Sequence, residues 1–332
     1  MPDTVQVGSA RAERGEKVWG ELPVPEAQRE ALRPPWVVVV HGAADGPTVY
    51  IGSGTHGDEL NSIEATRRTA LELDPRSVHG TVILVPVHNR ASFDARARRA
   101  PADDKDLDYC YPGREDGSPT EVLARVLFDG AITRADYALD LHTATRGGWN
   151  LAHALVAPHT PEAAERAQEL AQVFGTRVIV RLERPAPGAH LGDAMGWDLD
   201  HNLFVQASAR GIPSTIIEFG EGGRLEPDQV ELGRRGIRNV LAHLGVLEAR
   251  AEPQPAAFVA REARAIRCAT QGLLHMAVRA GDRVGRGQLL ARVVSFPDQV
   301  EEIRTDADGV VVRVSTDGVI ARNDRVVVLA VT

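Results

Sequence analysis

The chain has 332 residues, 43% of them hydrophobic, and 38 Lys+Arg against 46 Asp+Glu give a net charge of −8. A chain of that length can bury a core without staples, and an acidic chain with no basic run interleaved with aromatics is not built to grip nucleic acid. Cys110 and Cys268 alone make neither a disulfide framework nor a cysteine zinc cage, and Trp36–Val40 is far too short to span a bilayer. The first 30 residues hold no apolar run of signal-peptide length, so the expected setting is cytoplasmic, with neither a membrane nor a nucleic acid as partner.

Residues 1–35 read as polar and proline-dotted. Short apolar runs follow at Val37–Val40, Thr48–Gly52, Thr81–Val85, Tyr137–Leu141, Leu151–Val156, Arg177–Val180 and Ser214–Phe219, and these predict strands. Amphipathic stretches at Glu59–Leu73, Glu121–Ile132, Pro161–Phe174, Asp198–Ala209 and Asp228–Leu244 predict helices between them. Strands alternating with helices imply an α/β fold, a sheet covered on both faces. The stretch Ala251-Glu252-Pro253-Gln254-Pro255 reads as a linker. Beyond it Gly272–Val293 and Gly309–Ala330 resemble each other at an offset of 37, which suggests a small β-barrel of two similar halves. The expected division is 1–250 for the catalytic part and 256–332 for a C-terminal β domain.

Three stretches carry chemistry. Gly54-Thr55-His56-Gly57-Asp58-Glu59 follows a strand and opens a helix, so His56 and Glu59 stand where ligands bind in open α/β sheets. The pair suits zinc, and the plainer alternative is a solvated turn with Asp58 capping the helix. Leu139-Asp140-Leu141-His142-Thr143 ends a second strand in a histidine, with Asp140 on the same strand face and able to orient the imidazole. Without a metal, this would be a core histidine bonded to Asp140. His56, Glu59 and His142 together leave a fourth position open for water, the layout of a catalytic zinc. The third stretch, Pro213 to Gly220, ends an apolar strand in Glu218, a candidate general base with Glu221 as the nearby alternative. His41, His79, His88, His153 and His159 near strand ends read as histidines satisfied by hydrogen bonds. No Walker or dinucleotide glycine pattern is present.

These motifs, in this order from about Gly46 to Leu244, resemble the succinylglutamate desuccinylase/aspartoacylase family of the zinc-carboxypeptidase fold. The resemblance implies a mixed sheet flanked by helices with a smaller C-terminal all-β barrel-like domain, and one Zn2+ per chain. It carries His56, Glu59 and His142 over as zinc ligands, Glu218 as the catalytic glutamate, and Asn89 as a substrate contact. Arg98 best matches the arginine that polarises the scissile carbonyl, with its neighbour Arg99 as the alternative. The family's segment of the type Asp-Leu-Asn-Arg reads Asp106-Leu107-Asp108-Tyr109 here. An asparagine–arginine pair that would grip a carboxylate is thus replaced by Asp108 and Tyr109, removing a cation and adding an anion. The substrate is then expected to place an amine or a neutral group there, unless Arg146 or Arg90 supplies the charge. Arg146, just past His142, resembles the desuccinylase version of that loop and is expected to touch substrate.

The implied activity is zinc-dependent hydrolysis of the amide bond of a small N-acylated amino acid or amine by metal-activated water. A metallocarboxypeptidase, an ester hydrolase and a catalytically inactive zinc-site binding protein are the rivals, and the retained Glu218 weighs against the last. Gly272–Val293 also resembles half of a biotinyl/lipoyl-type barrel. Such carriers need a lysine at the hairpin tip, and the two lysines are Lys17 and Lys105, so a covalent carrier role is excluded. The expected partner is a small-molecule substrate, with homo-oligomerisation left open.

Overall fold

The computed structural model describes residues 2–331 apart from 158, 184–188, 193, 194, 196, 253 and 256. The first part of the chain runs β1 (Thr4–Val7), β2 (Ala10–Glu13), β3 (Glu16–Glu21), α1 (Arg29–Leu32), β4 (Trp36–His41), β5 (Ala44–Ser53), α2 (Leu60–Glu72), β6 (His79–Val85), α3 (Arg90–Ala95), α4 (Pro119–Gly130), β7 (Tyr137–His142), β8 (Gly148–Val156), α5 (Pro161–Phe174), β9 (Val178–Arg181), α6 (Leu203–Ser208), β10 (Ser214–Glu221) and α7 (Pro227–His243). The remainder is all strand: β11 (Phe258–Ala260), β12 (Glu262–Arg267), β13 (Gly272–Met276), β14 (Arg283–Val284), β15 (Leu289–Ser295), β16 (Gln299–Arg304), β17 (Gly309–Ser315), β18 (Val319–Ile320) and β19 (Arg325–Val331). Among the described residues no helix is long and apolar enough to cross a membrane.

The large sheet is mixed and runs β12-β19-β17-β8-β10-β7-β5-β6-β4-β3. Its centre is parallel: β5 pairs in parallel with both β6 and β7, and β7 with β10. Both faces are buried, and successive residues of one strand supply opposite cores. Val38 and Val40 join the core under α2, α5 and α7, while Val37 and Val39 join the one under α4. Near-continuous apolar runs such as Val37–Val40 follow from that double burial.

Residues 1–35, read as irregular, hold three strands, and β3 adds itself antiparallel to β4. Alternation over four residues, as in Ala10-Arg11-Ala12-Glu13, is too short to stand out. The helix expected from Asp198 starts only at Leu203. Asp198 accepts from the Asp200 N–H and Asp200 from the Leu191 N–H, so these carboxylates cap backbone groups of a turn.

The C-terminal repeat is visible in the pairing. β17 and β19 of the second copy belong to the large sheet, while β13 and β15 of the first lie in a separate four-stranded sheet. Each copy lends its short strand to the other: β14 pairs with β17, and β18 with β13. Leu290 and Val293 from one copy and Val311 and Val327 from the other close a shared core. The segment is also continuous with the rest of the protein. β17 pairs antiparallel with β8, matching Arg313 to Asn150 and Ser315 to Gly148. A further core combines Leu155, Val178 and Ile216 with Val310, Val312 and Val328.

Candidate active site

The chemistry-bearing residues gather at the carboxyl ends of β5, β7 and β10. Ser53 of β5 lies beside Leu141 of β7, and Glu218 of β10 lies beside His142. Parallel strands in register bring their ends to one edge of the sheet, where open α/β folds hold ligands. A bulge between Glu218 and Gly220 interrupts the pairing of β10 with β8, a device that re-aims side chains beside active sites.

The loop from β5 to α2 is fixed by close approach. Gly54 takes φ +67°, and a side chain on Gly57 would place Cβ 2.0 Å from the carbonyl carbon of Ser92, a backbone atom that cannot yield. Thr55 Oγ1 lies 2.9 Å from His88 Nδ1, and His88 Nε2 lies 2.7 Å from the Tyr50 hydroxyl. Burial pushes His88 down to about 4, so it is a neutral bracket holding the loop. His41 and His153 are likewise satisfied, by Thr81 and by the Leu151 carbonyl.

His56, Glu59 and His142 are brought together as the sequence suggests. His56 Nδ1 lies 2.7 Å from Glu59 Oε1, and His142 Nδ1 lies 3.0 Å from Glu59 Oε2. The other nitrogen of each ring meets an aspartate. His56 Nε2 is 2.9 Å from Asp106 Oδ1, and His142 Nε2 is 3.2 Å from Asp140 Oδ1. All of these side chains are buried. Two imidazole nitrogens and a carboxylate facing one point, each ring backed by a carboxylate, fit a divalent ion of the zinc type. The electrostatics agree. Burial and Arg98 oppose a charge on His56, but Glu59, Asp106 and Asp108 outweigh them and raise it to about 10. His142 is raised well above its usual range against burial by Asp140, Glu59 and Asp108. The four buried carboxylates around the two rings, Glu59, Asp106, Asp108 and Asp140, make the pocket one that favours a positive charge, and the imidazoles would ligate a metal ion there in their neutral form.

A cavity of about 390 Å3 opens on this cluster, with His56, Arg98, Asp108, Tyr109 and Glu218 on its wall. Arg98 Nε donates to Asp106 Oδ2 at 2.8 Å, and a terminal nitrogen reaches within 3.3 Å of His56 Nδ1. Arg99 instead donates to the Asp104 carbonyl and is mostly exposed, so Arg98 is the arginine that points into the cluster. Glu218 accepts from Asn150 Nδ2 at 2.8 Å, and burial lifts its carboxyl to about 7. Asp108 lies 3.4 Å from His56 Nε2, is raised by burial, and has no hydrogen-bond partner at Oδ1.

Two expected substrate contacts sit elsewhere. Asn89 caps α3 by accepting from the Ser92 N–H, and it is not on the cavity wall among the described residues. Arg146 is more than half exposed and lies 3.5 Å from Asp58, outside the same wall. The residues on that wall that sequence reasoning did not pick out include Asp106, Asn150, Arg313 and Arg325. Asp106 had a signal, an acidic residue at the head of the Asp-Leu-Asp segment. The arginines of the C-terminal strands had none, because only the pairing of β17 with β8 brings them there.

Comparison with known proteins decides the family. Residues 45–244 match the model of the succinylglutamate desuccinylase/aspartoacylase catalytic domain. The chain belongs to the succinylglutamate desuccinylase/aspartoacylase family. It is 31% identical over 328 residues to an N-alpha-acetyl-L-2,4-diaminobutyric acid deacetylase of Halomonas elongata, covering 95% of this chain and 87% of that one. The structure superposes with a TM-score of 0.81 on a succinylglutamate desuccinylase/aspartoacylase from Rhodobacter sphaeroides, at 25% identity over 94% of this chain and 95% of that one. The ectoine utilization protein EutE (DoeB) of Ruegeria pomeroyi, in its product-bound form, shares the fold with a TM-score of 0.78 at 24% identity, covering 90% of this chain and 89% of that one. The family's fold, a mixed sheet with flanking helices and a C-terminal all-antiparallel region, is the one observed.

Proposed function

We propose that the protein is a zinc-dependent deacylase that hydrolyses the amide bond of a small N-acylated amino acid, of the acetylated diamino acid type. The observation that carries this reading is the convergence of His56 Nδ1, His142 Nδ1 and the Glu59 carboxylate at a cavity that also holds Glu218. Zinc bound there would supply a Lewis acid and a water of lowered pKa.

The chain's own residues account for the rest. Glu218, lifted by burial to about 7, is placed to take the proton of the attacking water and return it to the leaving nitrogen. Asn150 fixes one oxygen of that carboxylate. Arg98, anchored through Nε by Asp106, turns its terminal guanidinium nitrogens towards the cluster, where they would meet the oxygen on which charge develops. Asp108 Oδ1, buried, 3.9 Å from His142 Nε2 and without a hydrogen-bond partner, suits an amine on the substrate. The deacetylase activity named for the Halomonas relative concerns an acyl amino acid that bears a second amine, which agrees with that anion.

Mass spectrometry of the purified protein should find about one zinc per chain, lost in His56→Ala. The zinc-loaded protein should release acetate from N-alpha-acetyl-L-2,4-diaminobutyric acid. Glu218→Gln should keep the zinc and lose roughly 10²- to 10⁴-fold in kcat. A variant with undiminished turnover would remove Glu218 from the mechanism, and a protein that takes up no metal would overturn the proposal.

A further inference from the structure

The expected carboxylate grip has gone from the Asp106–Tyr109 segment, and the two arginines considered as substitutes do not reach the cavity. Arg146 faces Asp58. Arg90 donates to Glu21 and lies over the Trp36 ring, 3.5 Å from its centroid. Yet beside Arg98 and Arg99, the latter tied to Asp104, the cavity wall carries Arg313 and Arg325 from the C-terminal strands.

Arg313 is buried on β17 and enters beside Gly148 of β8. A side chain at that glycine would put its Cβ 2.2 Å from the Arg313 guanidinium. One Arg313 nitrogen donates to Thr145 Oγ1 at 3.2 Å, and another lies 3.5 Å from the Arg325 carbonyl. Arg325 opens β19 and lies over the Trp197 ring at 4.5 Å, while its buried Nε has no hydrogen-bond partner. Among the described residues neither guanidinium has a carboxylate within 4.0 Å. A buried and a part-buried cation with neutral partners are costly unless an anion joins them. Burial and Arg313 together hold Arg325 down to about 9. Glu218 and Asp317 act on Arg313 in the opposite sense to Arg98 and Arg267, and Asn150, the cross-strand partner of Arg313, already holds the Glu218 carboxylate.

We propose that Arg313 and Arg325 form the carboxylate subsite of the cavity, so that the C-terminal β segment selects acyl amino acids with a free carboxylate over simple acylated amines. The inference rests on the deacylase reading. It places the substrate carboxylate against the C-terminal strands, the scissile amide at the His56–Glu59–His142 cluster, and the amine beside Asp108. Planar guanidinium forks suit a carboxylate and reject a neutral amide.

The test compares N-alpha-acetyl-L-2,4-diaminobutyric acid with its carboxamide on the zinc-loaded enzyme, for wild type, Arg313→Gln and Arg325→Gln. Wild type should prefer the acid by roughly 10- to 100-fold in kcat/KM. Each variant should lose most of that preference through KM on the acid, with the carboxamide little changed. Variants that keep the preference, or that lose both substrates equally, would overturn the subsite. Arg325, only part-buried, decides the matter if Arg313→Gln fails to fold. If wild type hydrolyses neither compound, calorimetric binding separates the two claims. Acid binding that the variants lose upholds the subsite and removes the deacylase reading; binding without discrimination removes the subsite.

Discussion

Asp106 should govern both the metal and the arginine, although it ligates neither substrate nor ion in the proposed arrangement. Its Oδ1 lies 2.9 Å from His56 Nε2, its Oδ2 accepts from Arg98 Nε at 2.8 Å, and Oδ1 also accepts from the Asp108 N–H at 3.1 Å. His56 and Arg98 both hold it below the usual carboxylate range, against burial. Asp106→Asn removes the charge while keeping the shape. It leaves the buried His56 ring and the part-buried Arg98 guanidinium short of an anion, a defect of about 3 kcal/mol. With an unfolding entropy of ~2.1 cal/mol/K per residue, 332 residues give ~0.7 kcal/mol/K, so the metal-free variant should melt ~4 °C lower. Loss of the carboxylate behind a ligating imidazole costs roughly 10- to 100-fold in metal affinity. Competition with a chromophoric chelator reads the affinity, and calorimetry with and without zinc reads the stability. Asp103→Asn is the control, because Asp103 accepts from Thr120 away from the site and should leave zinc affinity unchanged. An Asp106→Asn protein with wild-type affinity, melting temperature and kcat would refute the reasoning.

Other consequences can be checked separately. His153 is buried, and burial holds it at about 4 against a free value of 6.5. It therefore contributes stability above pH 6.5 that is lost as pH falls towards 4, about 3 kcal/mol in all; urea titrations across that window should show a shallower slope for His153→Asn, and an unchanged slope would remove the assignment. Gly57→Ala should cost about 1–3 kcal/mol or more by driving Cβ into the Ser92 carbonyl group, and a variant that melts and binds zinc like wild type would contradict that close approach. A protein ending at residue 250 should aggregate and show no hydrolysis, because it unpairs β8 from β17 and opens the core that Ile216 shares with Val312 and Val328; a soluble, active fragment would refute the continuity of the sheet.

The strands that position the catalytic cluster were legible because they are buried on both faces, which turns burial into uninterrupted runs such as Thr81–Val85. The candidate metal ligands were legible because short spacing and strand ends place them: His56 and Glu59 are three residues apart, and His142 closes β7. Strands β1–β3 left little trace because they are part exposed and mix polar with apolar residues, so no uninterrupted apolar run marks them. The start of α6 was misplaced because Asp198 and Asp200 cap turn backbone instead of entering the helix. Asn89 and Arg146 drew attention through the family resemblance, but one is engaged as a helix cap and the other faces Asp58 at the surface. Arg313 and Arg325 were out of reach of any local pattern. Arg313 stands 163 positions from its cross-strand partner Asn150 (313 − 150), and nothing within β17 marks it as different from the exposed arginines around it.

That distance explains how the fold divides its labour. The parallel strands β5, β7 and β10 carry the groups that any amide hydrolysis by this machinery requires, and their register leaves little freedom to vary them. The far wall is supplied by β17 and β19, which join the sheet through β8 and pack both on the C-terminal core and on the one they share with Leu155 and Ile216. Side chains on that wall can change without moving His56, Glu59 or His142, because the connection runs through backbone pairing and the shared apolar core and not through those three residues. Gly148 shows a constraint this arrangement imposes on the catalytic part, since a side chain there would meet the Arg313 guanidinium. Substrate choice can therefore be set by strands that take no part in the bond cleavage, which is where function is most readily altered on a conserved scaffold geometry.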